Sequence, residues 1–282
     1  MQSIMKYAFI VAASFSIISI ILIFYFLVVN GLPAIIEIGF IEFMFGTKWT
    51  PGNVPPSFGI FPMILGSIYV TAYSILIAAP VGIGAAIYIT FESSKKVKEP
   101  IKTLINLLAG IPSVVYGFFG LVVIVPLVRN IDGNGNSILS ASILLGLMIL
   151  PTIISMSHNA MENVDKVLYD SAIALGATHE QAVYKVMVPA AKSGVMASLV
   201  LGIGRAIGET MAVIMVIGNQ AIIRLPFDIF KGVRTLTGNI VIEMGYAAGL
   251  HRSALISTGL VLFVFIILVN SLFNVINKGT NK

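Results

Sequence analysis

The chain has 282 residues, of which 57% are hydrophobic and only 10% charged, with a formal net charge of +5. Soluble domains carry about 25% charged residues, so this composition excludes a soluble core and predicts one all-α integral membrane domain over 1–282. There is no Cys, which removes disulfide and thiol chemistry from consideration.

Six apolar runs are long enough to cross a bilayer, which takes about 20 residues. The first, 7–29, exceeds the roughly 7–15 residues of a signal-peptide core, and no A-x-A cleavage site follows it, so it reads as a retained span. Within segment 30–62, the stretch Phe43–Phe61 is aromatic and Pro-rich, and its Trp49 is expected at the membrane interface. The second span covers 63–90; its Ser67, Thr71 and Ser74, like Ser113 in the next span, are read as bonding their own backbone rather than lining a path. After the Lys-rich ESSKKVKEPIK stretch comes a third span, 103–128, interrupted by Pro112 and Pro126. Membrane helices tolerate such prolines where neighbours re-satisfy the freed carbonyls, and a broken helix often lines a cavity, which makes Tyr116 a candidate. A tight turn at Asp132–Asn136 leads to the fourth span, 137–156.

Segment 157–193 is too long for a plain interhelical hairpin of roughly 2–8 residues. Apolar positions at Met161, Val164, Val167, Leu168, Ala172 and Leu175 predict a helix over 159–175. Gly176 is suited to end it in a left-handed turn. Thr178 with Gln181 three residues later is a capping-box pattern for a second helix that Pro189 is expected to stop.

The fifth span, 194–217, carries Arg205 and Glu209 in otherwise apolar surroundings. As a continuous helix it would hold the two charges on one face, one turn apart. Each charge costs roughly 2.5–3.5 kcal/mol at a membrane helix centre, and about ten Leu, Ile and Val neighbours return only about 3–6 kcal/mol. The charged side therefore needs protein or water, and intramembrane ionisable residues mark pathways by default. Arg stays charged and offers a planar fork of donors to an oxyanion. Glu209 is expected to hold Arg205 when the path is empty, and to accept from a protonated oxygen of an oxyanion, a donor that a fully deprotonated one lacks. Small residues at four-residue spacing (Gly194, Ser198, Gly202, Ala206, and Gly204, Gly208, Ala212) predict close helix packing. Segment 218–253 follows, with Arg224, Lys231 and Arg234, and then the sixth span, 254–274.

Lys and Arg set the orientation. One side collects Lys6, Lys95, Lys96, Lys98, Lys102, Lys166, Lys185, Lys192, Lys278 and Lys282; the other holds Lys48, Arg129, Arg224, Lys231, Arg234 and Arg252. The richer side is the cytoplasmic one, which puts both termini and segment 157–193 in the cytoplasm. His158, His179 and His251 are scattered, and His179-Glu180 fails as a zinc-protease motif because position 183 is Val. No GxxxxGK[ST] motif is present, so ATP is not bound through a P-loop of this chain.

Asp170-Ser171-Ala172, then Gly176, then Val186-x-Val188-Pro189 resembles the EAA loop of type I ABC importer permeases, E-A-A-x3-G-x9-I-x-L-P, with Asp, Ser and Val as mild departures. The stretches GIPSVVYGFFG at 110–120, GRAIGETMAV at 204–213, and Trp49-Thr50-Pro51 followed by FGIFPMILGS resemble phosphate importer permeases. Met211-Ala212-Val213 is similar to the PstC-type subunit, whereas the PstA type tends to carry A-P-L there. The resemblance implies a MetI-like permease fold in a prokaryotic cell membrane. It also implies a PstA-type partner, two ATP-binding cassette ATPases that carry the ATP and Mg, and an extracytoplasmic phosphate-binding protein docking on the outer loops. Neither a cofactor of its own nor a nucleic-acid partner is expected. The alternative cargoes are molybdate, tungstate and sulfate. A secondary transporter would need no coupling loop and often shows inverted repeats; a membrane enzyme would need a metal, nucleophile or cofactor signature.

Overall fold

The computed structural model describes residues 2–279. Of the lysines that set the orientation, Lys282 and the side chain of Lys278 lie outside the described part. The chain is mostly helical. A long first helix, α1 (Gln2–Ile38), leads through Gly39 to the short α2 (Phe40–Phe45). At 1.5 Å per residue, α1 is roughly 55 Å long, well beyond a hydrocarbon core of about 30 Å. A small antiparallel ribbon follows, β1 (Trp49–Thr50) against β2 (Ser57–Phe58). Next come α3 (Phe61–Ile87), which runs into a π turn at Tyr88–Glu92, and α4 (Lys95–Gly110). The chain continues through α5 (Ser113–Phe119), a π turn at Gly120–Ile124, α6 (Val125–Arg129) and α7 (Ile138–Glu162).

Two further helices, α8 (Lys166–Ala174) and α9 (His179–Ala182), precede a third π turn at Val183–Met187, followed by α10 (Val188–Ala190) and α11 (Lys192–Gly208). The fold closes with α12 (Met211–Val216), α13 (Leu236–Glu243) and α14 (Gly249–Gly279).

Among the described residues, four helical stretches are long and apolar enough to cross a membrane: Met5–Ile38, Phe61–Glu92, Ile138–Glu162 and Gly249–Ser271. Two bent pairs raise the number to six if each is one span: Lys95–Gly110 with Ser113–Arg129, bent by 95°, and His179–Ala190 with Lys192–Gly208, bent by 63°.

The stretch expected as one span over 103–128 is therefore two helices meeting at Ile111-Pro112. Pro112 takes an extended backbone, φ −59 and ψ 142, and serves as the N-cap of α5. The residue before a proline is itself pushed out of the helical region. Pro126 does not stop its helix, which runs on to Arg129, whereas the helix that holds Pro189 ends one residue later, at Ala190, as expected. Each proline follows closely on a π turn, in which the wider i→i+5 bonding makes room for a ring that a tight α-turn would push against a carbonyl. Likewise the helix expected over 159–175 is split. α7 continues to Glu162, and the chain restarts at Asp165, whose carboxylate caps α8 by accepting from the Val167 amide at 3.0 Å.

The buried centre is α7. Its Leu144, Leu145, Met148, Ile149 and Ile153 pack with Val70 and Ala78 of α3 and with Val213 and Val216 of α12. Small residues bring the backbones close. A Cβ at Gly82 of α3 would stand 2.7 Å from Ile153 Cγ2, and one at Gly194 of α11 2.4 Å from Ala160 Cβ. Where the helices touch, buried hydroxyls find partners: Ser157 and Ser198 share a hydrogen bond of 2.7 Å across α7 and α11. The α1–α14 pair is joined separately, with Ser257 donating to the Gly31 carbonyl at 2.6 Å.

Candidate functional site

The two apolar motifs of the sequence meet in space. A Cβ at Gly117 of α5 would stand 3.0 Å from Ala212 Cα and 2.6 Å from Met215 Sδ, both on α12. A Cβ at Gly120 would reach Leu144 and Val216. The broken helices α4–α5 and α11–α12 thus cross against each other over α7, and small residues make the approach possible.

Arg205 and Glu209 do not form the pair expected from a continuous helix. α11 ends at Gly208, and Glu209 adopts an extended backbone, φ −69 and ψ 131. Its Oε1 accepts from the amides of Thr210 at 3.1 Å and Ala212 at 3.3 Å, so the carboxylate satisfies free donors at the start of α12. Two weak helix formers, Gly204 and Gly208, and this local competition for amides explain the break. Arg205 turns instead to α7, donating from Nη1 to Thr152 Oγ1 at 3.0 Å, next to the helix proline Pro151. Among the described residues no carboxylate lies within ion-pair distance of Arg205. Its guanidinium is half-buried and acts electrostatically on Tyr116, whose hydroxyl donates to the Leu108 carbonyl at 2.9 Å across the α4–α5 break.

Of the glycines singled out on α11, Gly202 faces Ile153, whose Cγ1 would be 3.2 Å from an added Cβ. At Gly204 and Gly208 an added Cβ would meet nothing within 4 Å, so these two present open backbone on the Arg205 side of the break. Ser74 bonds its own backbone, donating to Val70 O at 2.6 Å. Ser67 does not do so: it accepts from the Leu236 amide at 3.0 Å and so fastens the start of α13 to α3.

Segment 157–193 has the local structure its capping residues dictate. Thr178 and Gln181 form a reciprocal capping box, with bonds of 3.1 and 3.3 Å. Gly176 takes φ +90 at the end of α8, where a residue with a Cβ would be strained. Asp170 and Ser171 are exposed on α8, and Ala172 is buried beneath it. Val186 and Val188 are half-buried, and Pro189 is exposed.

His179 ties this segment to α3: Nδ1 meets Tyr169 Oη at 2.8 Å, and Nε2 meets Glu92 Oε1 at 3.1 Å at the π turn. Val167, Ile173, Tyr184 and above all Leu175, 90% exposed, leave an apolar surface on the same segment.

The opposite end holds a cluster that the sequence did not disclose. Glu243 is buried and takes Trp49 Nε1 at 2.8 Å, His251 Nε2 at 2.9 Å and Arg234 Nη1. Trp49 is therefore a donor buried within the chain, and Arg234 is held by a carboxylate and by Asn219 and Asn239. No sequence signal pointed to it, since Trp49 and Glu243 are 194 residues apart.

Comparison with known proteins agrees with this architecture. Residues 78–282 match the family model described as "Binding-protein-dependent transport system inner membrane component". The chain is 44% identical over 257 residues to the "Probable ABC transporter permease protein YqgH" of Bacillus subtilis, covering 88% of this chain and 82% of that protein. It is 35% identical over 249 residues to the "Phosphate transport system permease protein PstC" of Haemophilus influenzae, covering 81% and 78%. Among solved structures it is similar to a chain of a bacterial alginate ABC transporter in complex with an alginate-pentasaccharide-bound periplasmic protein. That match has a TM-score of 0.66 at 17% identity, over 98% of this chain and 96% of the other. A chain of the MetNI methionine ABC transporter in an inward-facing conformation matches with a TM-score of 0.57 at 21% identity, over 79% and 95%.

Proposed function

Because the chain belongs to the family of binding-protein-dependent transport system inner membrane components, we propose that it forms one half of the inward path for inorganic phosphate. It is a multi-pass permease subunit of an ABC importer. In the proposed assembly the other half is a PstA-type subunit, two ATPase subunits supply the energy, and an extracytoplasmic phosphate-binding protein delivers the anion. The bent pairs each count as one span, giving six, with both termini in the cytoplasm of a prokaryotic cell.

The observation that carries the reading is Arg205, a permanent cation on a candidate membrane span with no carboxylate partner among the described residues. One guanidinium nitrogen is spent on Thr152, and the rest of the fork is left for an oxyanion. Gly204 and Gly208 keep the wall beside it free of side chains, so a tetrahedral anion can approach the backbone. Glu209 acts in this reading at the gate: it holds the α11–α12 break through Oε1, and its Oε2 lies outside that cap. PstC-named relatives support phosphate as cargo.

Segment 157–193 is assigned to coupling, with Asp170, Ser171, Ala172, Gly176, Val186, Val188 and Pro189 forming the loop that meets the ATPase. Leu175 and its apolar neighbours are the docking surface, and the His179 link to Glu92 passes movement of the loop to α3. The test of cargo is uptake of labelled phosphate by cells expressing the full assembly, competed in turn with sulfate, molybdate and tungstate. Competition by unlabelled phosphate alone is expected; stronger competition by another oxyanion would reassign the cargo.

A further inference from the structure

On the Lys-rich side, α4 and α7 enclose a polar cavity of about 230 Å³, lined by Lys102, Asn106, Ser155, His158 and Asn159. Its walls at Ile105 and Ile154 are shared with a second cavity of about 410 Å³. That second space is lined by apolar side chains, among them Leu108, Val115, Leu147 and Leu150. A volume of this size is within the usual range for a small-molecule site.

The polar half has a defined chemistry. Lys98 Nζ stands 2.8 Å from Glu162 Oε1 and neutralises it, whereas Lys102 Nζ is 4.0 Å from the other oxygen, which leaves Lys102 largely uncompensated. His158 is 3% exposed. Thr90 Oγ1 gives its one hydrogen to Ala86 O at 2.6 Å, so its 2.7 Å contact with His158 Nδ1 must be donated by the ring. Nε2 of the neutral ring is then a buried acceptor; it has no hydrogen-bond partner, with only the Glu162 carboxylate, itself an acceptor, 3.4 Å away. The site thus offers a cation and amide donors to an anion, an acceptor to a hydroxyl, and an apolar trough leading away from both.

We propose that this composite site binds a phospholipid of the phosphatidylglycerol class from the surrounding bilayer. Its phosphate lies at Lys102 and Asn106, a headgroup hydroxyl donates to His158 Nε2, and one acyl chain fills the trough beside Ile105 and Ile154. Basic pockets between membrane helices near the cytoplasmic surface take anionic headgroups. A free anion would leave the apolar cavity unfilled, and a phosphocholine headgroup offers His158 no hydroxyl.

The test is native mass spectrometry of the full-length chain in detergent, with phosphatidylglycerol or phosphatidylcholine added and every variant first matched to wild type by its Tm. Phosphatidylglycerol is expected to be retained in preference to phosphatidylcholine. Lys102→Gln should weaken retention about fivefold, the value of one basic residue at a membrane surface. Val115→Phe, which narrows the trough without touching the charges, should weaken it as well, and the remote Lys231→Gln should not. Equal retention of the two lipids overturns the proposal. So does retention indifferent to both Lys102→Gln and Val115→Phe, or a Lys102-dependent adduct of inorganic phosphate that displaces the lipid.

Discussion

Removing the Glu243 side chain tests the buried cluster it forms with Trp49, Arg234 and His251. The carboxylate is 7% exposed and Arg234 16% exposed, and Trp49 and His251 donate to the same group. In Glu243→Ala, Arg234 is left buried with only the Asn219 carbonyl and the Asn239 amide oxygen, and Trp49 Nε1 loses its acceptor. Breaking a buried pair by deleting one partner costs about 3–5 kcal/mol, which for a chain of this size lowers Tm on the order of 10 °C. Trp49 is the chain's one tryptophan, so its fluorescence during thermal unfolding in detergent reads the cluster itself. The double variant Arg234→Leu/Glu243→Leu removes both charges and should recover the part of the loss that comes from the stranded guanidinium, so that it costs less than the two singles together, while Trp49 Nε1 and His251 still lack their acceptor. If the single variant unfolds with the wild-type Tm, or the double variant costs the sum of the singles, the cluster is not coupled and the reasoning is wrong.

Other expectations follow from particular contacts. Gly117→Val places methyl groups against the Ala212 backbone, where a bare Cβ already stands 3.0 Å from Cα; phosphate uptake should fall by at least tenfold. Ser198 donates to the Val195 carbonyl at 2.7 Å, so Ser198→Ala alone leaves the buried Ser157 hydroxyl without its acceptor and should cost about 1–3 kcal/mol in thermal unfolding, with Ser157→Ala/Ser198→Ala costing less than the two singles together. Leu175→Glu, at an exposed position of segment 157–193, should reduce co-purification of the ATPase subunits while the Tm of the chain is unchanged. His179→Ala cuts the link between Tyr169 and Glu92 and should slow uptake in assemblies that retain the ATPase.

The helical membrane architecture was legible because composition and apolar run length constrain it directly. So were the Thr178–Gln181 box and the Gly176 turn, which depend on residues a few positions apart. The breaks were not. Arg205 and Glu209 are spaced for one helix face, and only the fold reveals that the Glu209 carboxylate binds the next turn's amides while Arg205 reaches Thr152 on α7. Periodicity cannot anticipate that competition, because the continuous helix and the capped break place similar residues at similar spacing. Pro126 misled in the other direction, since a π turn precedes its ring and the helix goes on to Arg129. The Trp49–Glu243–His251 cluster joins segments with no local pattern to connect them. The three scattered histidines all proved to be partnered through contacts far along the chain or at a helix end.

The most direct test of the account is labelled phosphate uptake by cells in which the assembly carries Arg205→Ala, with co-purification confirming that the subunits still associate. An unpaired guanidinium in the path predicts that uptake falls to background, with Arg205→Lys restoring a part of it. Wild-type uptake by an intact Arg205→Ala assembly would contradict the assignment of Arg205 to the anion path.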